Sequence, residues 1–339
     1  WKSAMQMMSI PMFGTGYADK EGNILYLYNA KLPIRTEGYD WQGVLPGNSS
    51  KVVWTEYLLY EDLPKVLNPS SGFIQNCNNT PFITTTGDNN PNQEKYSETF
   101  GIESRMSNRA LRALELFGKD QSISAKEFEQ YKYDMRYSDE SYMSQFVNRV
   151  ISLSDNFEDD QLIEGVNILK SWDKNTNFEN KHASLPIISF GWFMETSPDL
   201  VPDEQLIESF TFGVKYLYNH YGRLDIIWGN VNRLIRGSLN LGIAGGPDVS
   251  HAVYGLPTEE GYLKGYAGDA FLMLVEWGGN GQVSSQSIHQ YGSNVQHESS
   301  IHYADQAKLF VNRNLKPVLR TLQDIKENVE RVYSPVKEK

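Results

Sequence analysis

The sequence predicts an α+β protein on three observations: strand-and-turn character over the first hundred or so residues, a helical period through the middle, and returning strands near the end. The shifts in period fall near residues 97 and 237. They divide the chain into a β-rich block 1–97, a helical block 98–237, and a block 238–339 of returning strands and C-terminal helices.

Taken in order, Gly14 to Asp19 and Ile24 to Tyr28 read as two strands. The turn between them carries Gly22-Asn23, which tolerate positive φ. Lys51 to Leu59 and Gly72 to Cys77 are further strand candidates, separated by turn signals at Asp62-Leu63-Pro64 and Asn68-Pro69-Ser70-Ser71-Gly72. The period then changes. Met106, Leu111, Leu114 and Phe117 predict a helix over 104–117, and Ser124 with Glu127 forms a capping box for a helix through Met135. Leu162, Ile163, Val166, Leu169 and Trp172 keep one helical face, and Asp203 to Tyr221 predicts a long helix ended by Gly222. Asp269 to Trp277, a Gly-Gly-Asn-Gly turn and Gln282 to Gln290 predict a hairpin; His302 to Val332 reads as helical, with Pro317 as a break or a start.

Composition excludes several function classes. The formal charge of −11 argues against a nucleic-acid binder and against an anionic membrane surface as partner. The apolar content of 40% is enough for a substantial core. A single cysteine, Cys77, excludes an internal disulfide framework and a cysteine zinc site within the chain. No run reaches the roughly 18 apolar residues of a transmembrane helix. The 20 Tyr and 7 Trp raise a carbohydrate-binding module, but they fall at strand and helix periods, which favours core use.

His297 and His302 flank Glu298 but stand five apart, whereas a zincin needs i, i+4 to put both on one helix face. The glycine clusters at 242–246 and 278–281 fit neither a dinucleotide fingerprint nor a P-loop, and there is no Gly-x-Ser-x-Gly elbow. The unusual segment is Asn68-Pro69-Ser70-Ser71-Gly72-Phe73-Ile74-Gln75-Asn76-Cys77-Asn78-Asn79-Thr80-Pro81. By composition it is an Asn-rich turn after a strand. Functionally, an Asn there aims a neutral N–H at a reacting carbonyl and stabilises the developing oxyanion without titrating.

This segment resembles the oxyanion strand of the penicillin acylase superfamily of N-terminal nucleophile hydrolases, in its acyl-homoserine-lactone and aculeacin acylase branch. Further segments are similar in the same order. They are Arg105-Met106-Ser107-Asn108-Arg109, Trp172-Asp173, Gly222 to Leu234 with Trp228, Asn232 and Arg233, Gly245-Gly246-Pro247-Asp248-Val249, Gly268-Asp269, Val283 to Gly292, and His302-Tyr303-Ala304-Asp305-Gln306.

The resemblance implies an αββα sandwich with a large helical insertion and hydrolysis of a carbon–nitrogen amide bond. The N-acyl substrate would be an acyl-homoserine lactone or a β-lactam side chain. The nucleophile would be an N-terminal Ser whose own α-amine, with an ordinary pKa of about 8, is the general base. The chain opens Trp1-Lys2-Ser3, so that Ser is expected on a missing part of the large subunit. The partners would be that part and the small subunit, with this chain inactive alone. Residue by residue, Asn78 matches the oxyanion Asn. Arg105 matches an Arg that holds the site's geometry, with Arg109 and Arg112 recurring at similar spacing. Asp88 lies close to the place of a structural calcium ligand in some members, an exposed loop carboxylate being its plainer reading. No other cofactor is implied, and the location implied is periplasmic. The rival reading is a non-catalytic binding or structural protein that keeps the scaffold. Trp228, Asn232, Arg233, Ser287, His289, His302 and Asp305 read as fold-stabilising.

Overall fold

The computed structural model describes the chain apart from Pro11, Tyr333 and residues 335–339. Two compact units emerge. One comprises Trp1–Arg233 and Gly242–Gly268; the other comprises Leu234–Leu241 and the chain from Asp269 onward.

The first unit opens with an antiparallel sheet of β1 (Phe13–Ala18), β2 (Ile24–Asn29) and β3 (Lys65–Leu67), in the order β1-β2-β3. The β1–β2 turn is fixed by Asp19, whose carboxylate accepts the N–H groups of Glu21 and Asn23 at 3.0 and 2.9 Å, with Gly22 at φ 85°. Tyr26, Leu27, Tyr28, Leu63 and Val66 form a small core of their own under this sheet.

Two expected strands are absent. Over 51–59 the chain makes a 3-10 turn at Ser50–Val52 and then a single bridge, Pro33 to Tyr57. Pro33 has no N–H to extend the ladder. Residues 72–77 are irregular, so Asn78 follows no strand. Side chains hold part of their backbone instead: Asn79 accepts the Cys77 N–H, and the hydroxyls of Ser71, Thr85 and Ser107 reach the carbonyls of Phe73 and Cys77.

The helical block forms as expected, with shifted borders. α1 runs Asn108–Lys119, not 104–117, because Ser107 Oγ accepts the Ala110 N–H and fixes the start. α2 (Ala125–Lys132) has the Ser124–Glu127 capping box and ends three residues early. α3 (Tyr142–Leu153), α4 (Asp160–Ser171), α5 (Ser184–Phe190) and α6 (Asp203–Tyr221) enclose a core that includes Phe146, Leu185, Phe190, Leu206 and Phe210. Gly165 lets α4 approach α6, for a Cβ there would lie 2.8 Å from Phe210 Cζ. α6 ends at Gly222, at φ 68°.

β4 (Asn232–Arg236) begins in this unit, where Asn232 and Arg233 pair in parallel with Leu263 and Lys264 of β7. β7 (Leu263–Gly268) pairs antiparallel with β6 (Val253–Pro257), and β5 (Leu239–Gly242) lies between β4 and β6 in the chain. Residues 242–268 join the helical block because the turn at 245–251 hydrogen-bonds into it: Gly245 N–H to Thr176 O, and His251 N–H to Asp134 O.

In the second unit the expected hairpin forms as β8 (Phe271–Trp277) and β9 (Val283–His289), joined by a turn with Gly281 at φ 76°. The expected C-terminal helical run is mostly absent. Short helices at Ala307–Val311 and Leu322–Glu327 flank β10 (Lys316–Pro317), which pairs with β9. Pro317 takes an edge position, where a missing N–H costs least. β8 is the other edge, and its alternate residues Phe271, Met273, Val275 and Trp277 are all exposed.

Candidate functional site

The amide segment is a set of turns tied down by its own side chains. Asn68, at φ 47°, accepts the Ile24 N–H at 2.9 Å and donates to Asn23 Oδ1, which fixes the segment to β2. Gln75 N–H reaches Thr84 O at 2.8 Å, and its Nε2 reaches Ile83 O at 2.9 Å. Asn79 is buried. Its Oδ1 accepts the Cys77 N–H at 2.8 Å, and its Nδ2 donates to the carbonyls of Thr80 and Ile83. Asn76 lies on β1, where a Cβ at Gly14 would meet its amide at 2.7 Å.

Asn78 is different. It is exposed and sits at φ 58°, a left-handed conformation that Asn tolerates better than most residues. Its neighbours hold the backbone: Ser107 Oγ donates to Cys77 O at 2.9 Å, and Thr80 N–H donates to Arg105 O at 2.9 Å. Its side-chain Oδ1 accepts from Arg109 Nη2 at 3.2 Å. An arginine can only donate, so the oxygen end of the carboxamide faces Arg109 and the Nδ2–H end points away.

Arg109 is held in turn by Asp248. Its Nε lies 3.1 Å from Asp248 Oδ1, while Asp248 Oδ2 accepts the Asn108 N–H at 2.7 Å, in the first turn of α1. Asn108 also donates from Nδ2 to Asp248 O at 2.8 Å. Burial pushes the Asp248 carboxyl above the usual carboxylate range, against the pull of the Asn108 N–H and Arg109. Burial also works against the Arg109 charge, but its neighbours, Asp248 foremost, together outweigh it, and the guanidinium stays protonated. The turn beneath Asp248 is anchored from the core. Tyr137 OH donates to Pro247 O at 2.5 Å, and Trp228 Nε1 and Asn232 Nδ2 donate to Gly245 O at 2.7 and 3.2 Å.

The three arginines therefore have three roles. Arg109 touches Asn78. Arg105, expected to open the helix, lies ahead of it; its carbonyl supports Thr80 and its guanidinium is 3.9 Å from Glu195. Arg112 makes a two-pronged pair with Asp134, both contacts at 2.9 Å, and contacts Glu115. Arg233 donates to Gly229 O at 2.8 Å. In the other unit, His302 bridges Asp305 and Glu330.

Asp88 is exposed, and among the described residues its carboxylate has no hydrogen-bond or ion-pair partner. Calcium takes about six to eight oxygen ligands. No three His, Cys, Asp or Glu side chains converge among the described residues. No helix among them is long and apolar enough to cross a membrane. The residue that motif reading left without a role is Asp248; its only sequence signal is an acid inside a Gly-Gly-Pro-Asp turn.

Comparison with known proteins bears on the family and the fold. The family model for penicillin amidase matches residues 1–327. A penicillin G acylase of Escherichia coli is 40% identical over 80 residues, a stretch that takes in 24% of this chain and 9% of that protein. The solved structure of a thermostable penicillin G acylase from Alcaligenes faecalis superposes with a TM-score of 0.54 at 16% identity, over 98% of this chain and 69% of that one. At that identity the likeness establishes the fold, an α+β arrangement of the N-terminal nucleophile hydrolase kind.

Proposed function

The chain belongs to the penicillin amidase family, and from that premise we propose that it carries the oxyanion-stabilising part of an amide-cleaving site. The substrate class is a small N-acyl amide. The nucleophile is a Ser hydroxyl at the N-terminus of polypeptide outside these 339 residues, activated by its own α-amine. Attack on the amide carbon sends the π electrons onto oxygen. The amine then leaves as it takes up a proton, and water releases the acyl group from the Ser ester.

The observation that carries this reading is the orientation of Asn78. With Oδ1 turned to Arg109, Nδ2–H is the donor left for a substrate oxygen. A neutral donor tightens on the oxygen as charge develops, which favours the transition state over the bound amide. The same reading carries a periplasmic location, which cell fractionation tests.

The test uses the matured enzyme that contains this chain and a chromogenic N-acyl amide. Asn78→Ala should lower kcat by roughly 10²–10³, about 2.7–4 kcal/mol, with little change in KM. A fully active variant would show that another residue is the donor. A wild-type assembly that binds N-acyl amides without turnover would favour the non-catalytic scaffold.

A further inference from the structure

We propose that Asp248 is a positioning residue of this site: acting through Arg109, it sets which end of the Asn78 carboxamide faces the substrate. The inference rests on Asn78 being the oxyanion donor.

The two ends of a carboxamide have nearly the same shape, so only hydrogen-bond partners decide its orientation. Arg109 makes that decision, because its guanidinium offers donors alone. A long side chain does this only if it is itself held. Asp248 Oδ1 holds Nε, and Nη2 then reaches Asn78 from the same planar group.

Asp248 is in turn fixed more firmly than a helix cap requires. Its N–H donates to Tyr254 OH at 3.2 Å, its carbonyl accepts from Asn108 Nδ2, and its second carboxylate oxygen takes the Asn108 N–H. It is buried, in the left-handed region at φ 55°. Capping α1 alone needs one acceptor, which Asn or Ser supplies without a buried charge. Serving the helix N–H and the guanidinium together needs two acceptor oxygens on one small side chain, which is a carboxylate. Asp248→Asn keeps one acceptor; with that oxygen on the Asn108 N–H, its NH₂ meets Arg109 Nε, donor against donor.

The experiment measures kcat, KM and Tm in the matured enzyme for Asn78→Ala, Asp248→Asn and the double variant. Asp248→Asn should lower kcat by roughly 10–100-fold, as a misplaced catalytic group does, with KM little changed. In the Asn78→Ala background the same change should cost less than about twofold, since no carboxamide is left to orient. Equal losses in the two backgrounds, or a fully active Asp248→Asn enzyme, would overturn the proposal. Should Asp248→Asn fail to fold, Arg109→Ala takes its place. Added guanidinium ion should restore its activity, and should do nothing once Asn78 is also Ala; no rescue would overturn the proposal. A fully active Asn78→Ala enzyme would instead remove the donor reading itself, and the proposal with it.

Discussion

Two adjacent asparagines give opposite predictions. Asn79→Ala removes an acceptor 2.8 Å from Cys77 N–H and a donor 2.8 Å from Thr80 O and 3.3 Å from Ile83 O. Asn79 is buried, so Cys77 N–H and Thr80 O lose their side-chain partner with little water to replace it, while Ile83 O keeps Gln75 Nε2. Each unsatisfied buried group costs about 1–3 kcal/mol, and with two short bonds lost the change should destabilise by about 2–6 kcal/mol. For a unit of this size, at about 2 °C per kcal/mol, that is a fall in Tm of about 4–12 °C. Asn78→Ala removes one exposed side chain with a single 3.2 Å bond. Its stability cost should be near 1 kcal/mol, mostly from placing Ala in the left-handed region. The assay is thermal melting of both variants, followed by kcat per folded molecule in the matured enzyme. Asn79→Ala should melt early and keep much of its activity per folded molecule; Asn78→Ala should melt near wild type and lose turnover. The reverse pattern, or equal loss of kcat at both positions, would refute the assignment of donor and support to these two residues.

The second unit offers two more tests. Asp305, and then Glu330, raise the His302 pKa by hydrogen-bonding its ring. The contact's stability is therefore full below about pH 6.5, the free value, and is lost as pH rises through the raised one. Amide exchange over residues 302–330 should speed up as pH rises above about 6.5 beyond its intrinsic trend, and His302→Gln should abolish that excess; protection that grows with pH would refute it. The exposed stripe Phe271, Met273, Val275 and Trp277 on an edge strand should bind an apolar dye and promote self-association of the isolated chain. Light scattering and dye binding unchanged by Phe271→Ser with Trp277→Ser would count against this.

Regular elements with strong local signals were legible in the sequence. The capping box of α2, the glycine end of α6 and the two hairpins were read close to their ends, because each is set by residues within a few positions of one another. The failures share a cause. Over 72–77 the aromatic and branched residues suit a strand, yet Asn79 accepts the Cys77 N–H, and the hydroxyls of Ser71, Thr85 and Ser107 bond the carbonyls of Phe73 and Cys77 in place of a ladder. Over 302–332 a helical period is present, but Pro317 pairs at an edge and the chain turns on either side of it.

The site was legible only in part, for a geometric reason. The resemblance points to Arg105 as the arginine that holds the site's geometry, with Arg109 and Arg112 recurring at similar spacing. Ser107 decides among them by starting the helix at Asn108, which leaves Arg105 outside it and puts Arg109 in its first turn. One turn of α1 then presents both the Asn108 N–H and the Arg109 guanidinium, and a single carboxylate can serve both. That carboxylate comes from a turn 139 residues further along the chain from Arg109, whose position is set by Tyr137, Trp228 and Asn232 in the helical core. Spacing fixes neither distance, since both depend on how the helical block closes. A change at Trp228 should therefore reach Asn78 through the Gly245 turn, Asp248 and Arg109, although Trp228 is buried and does not touch the site.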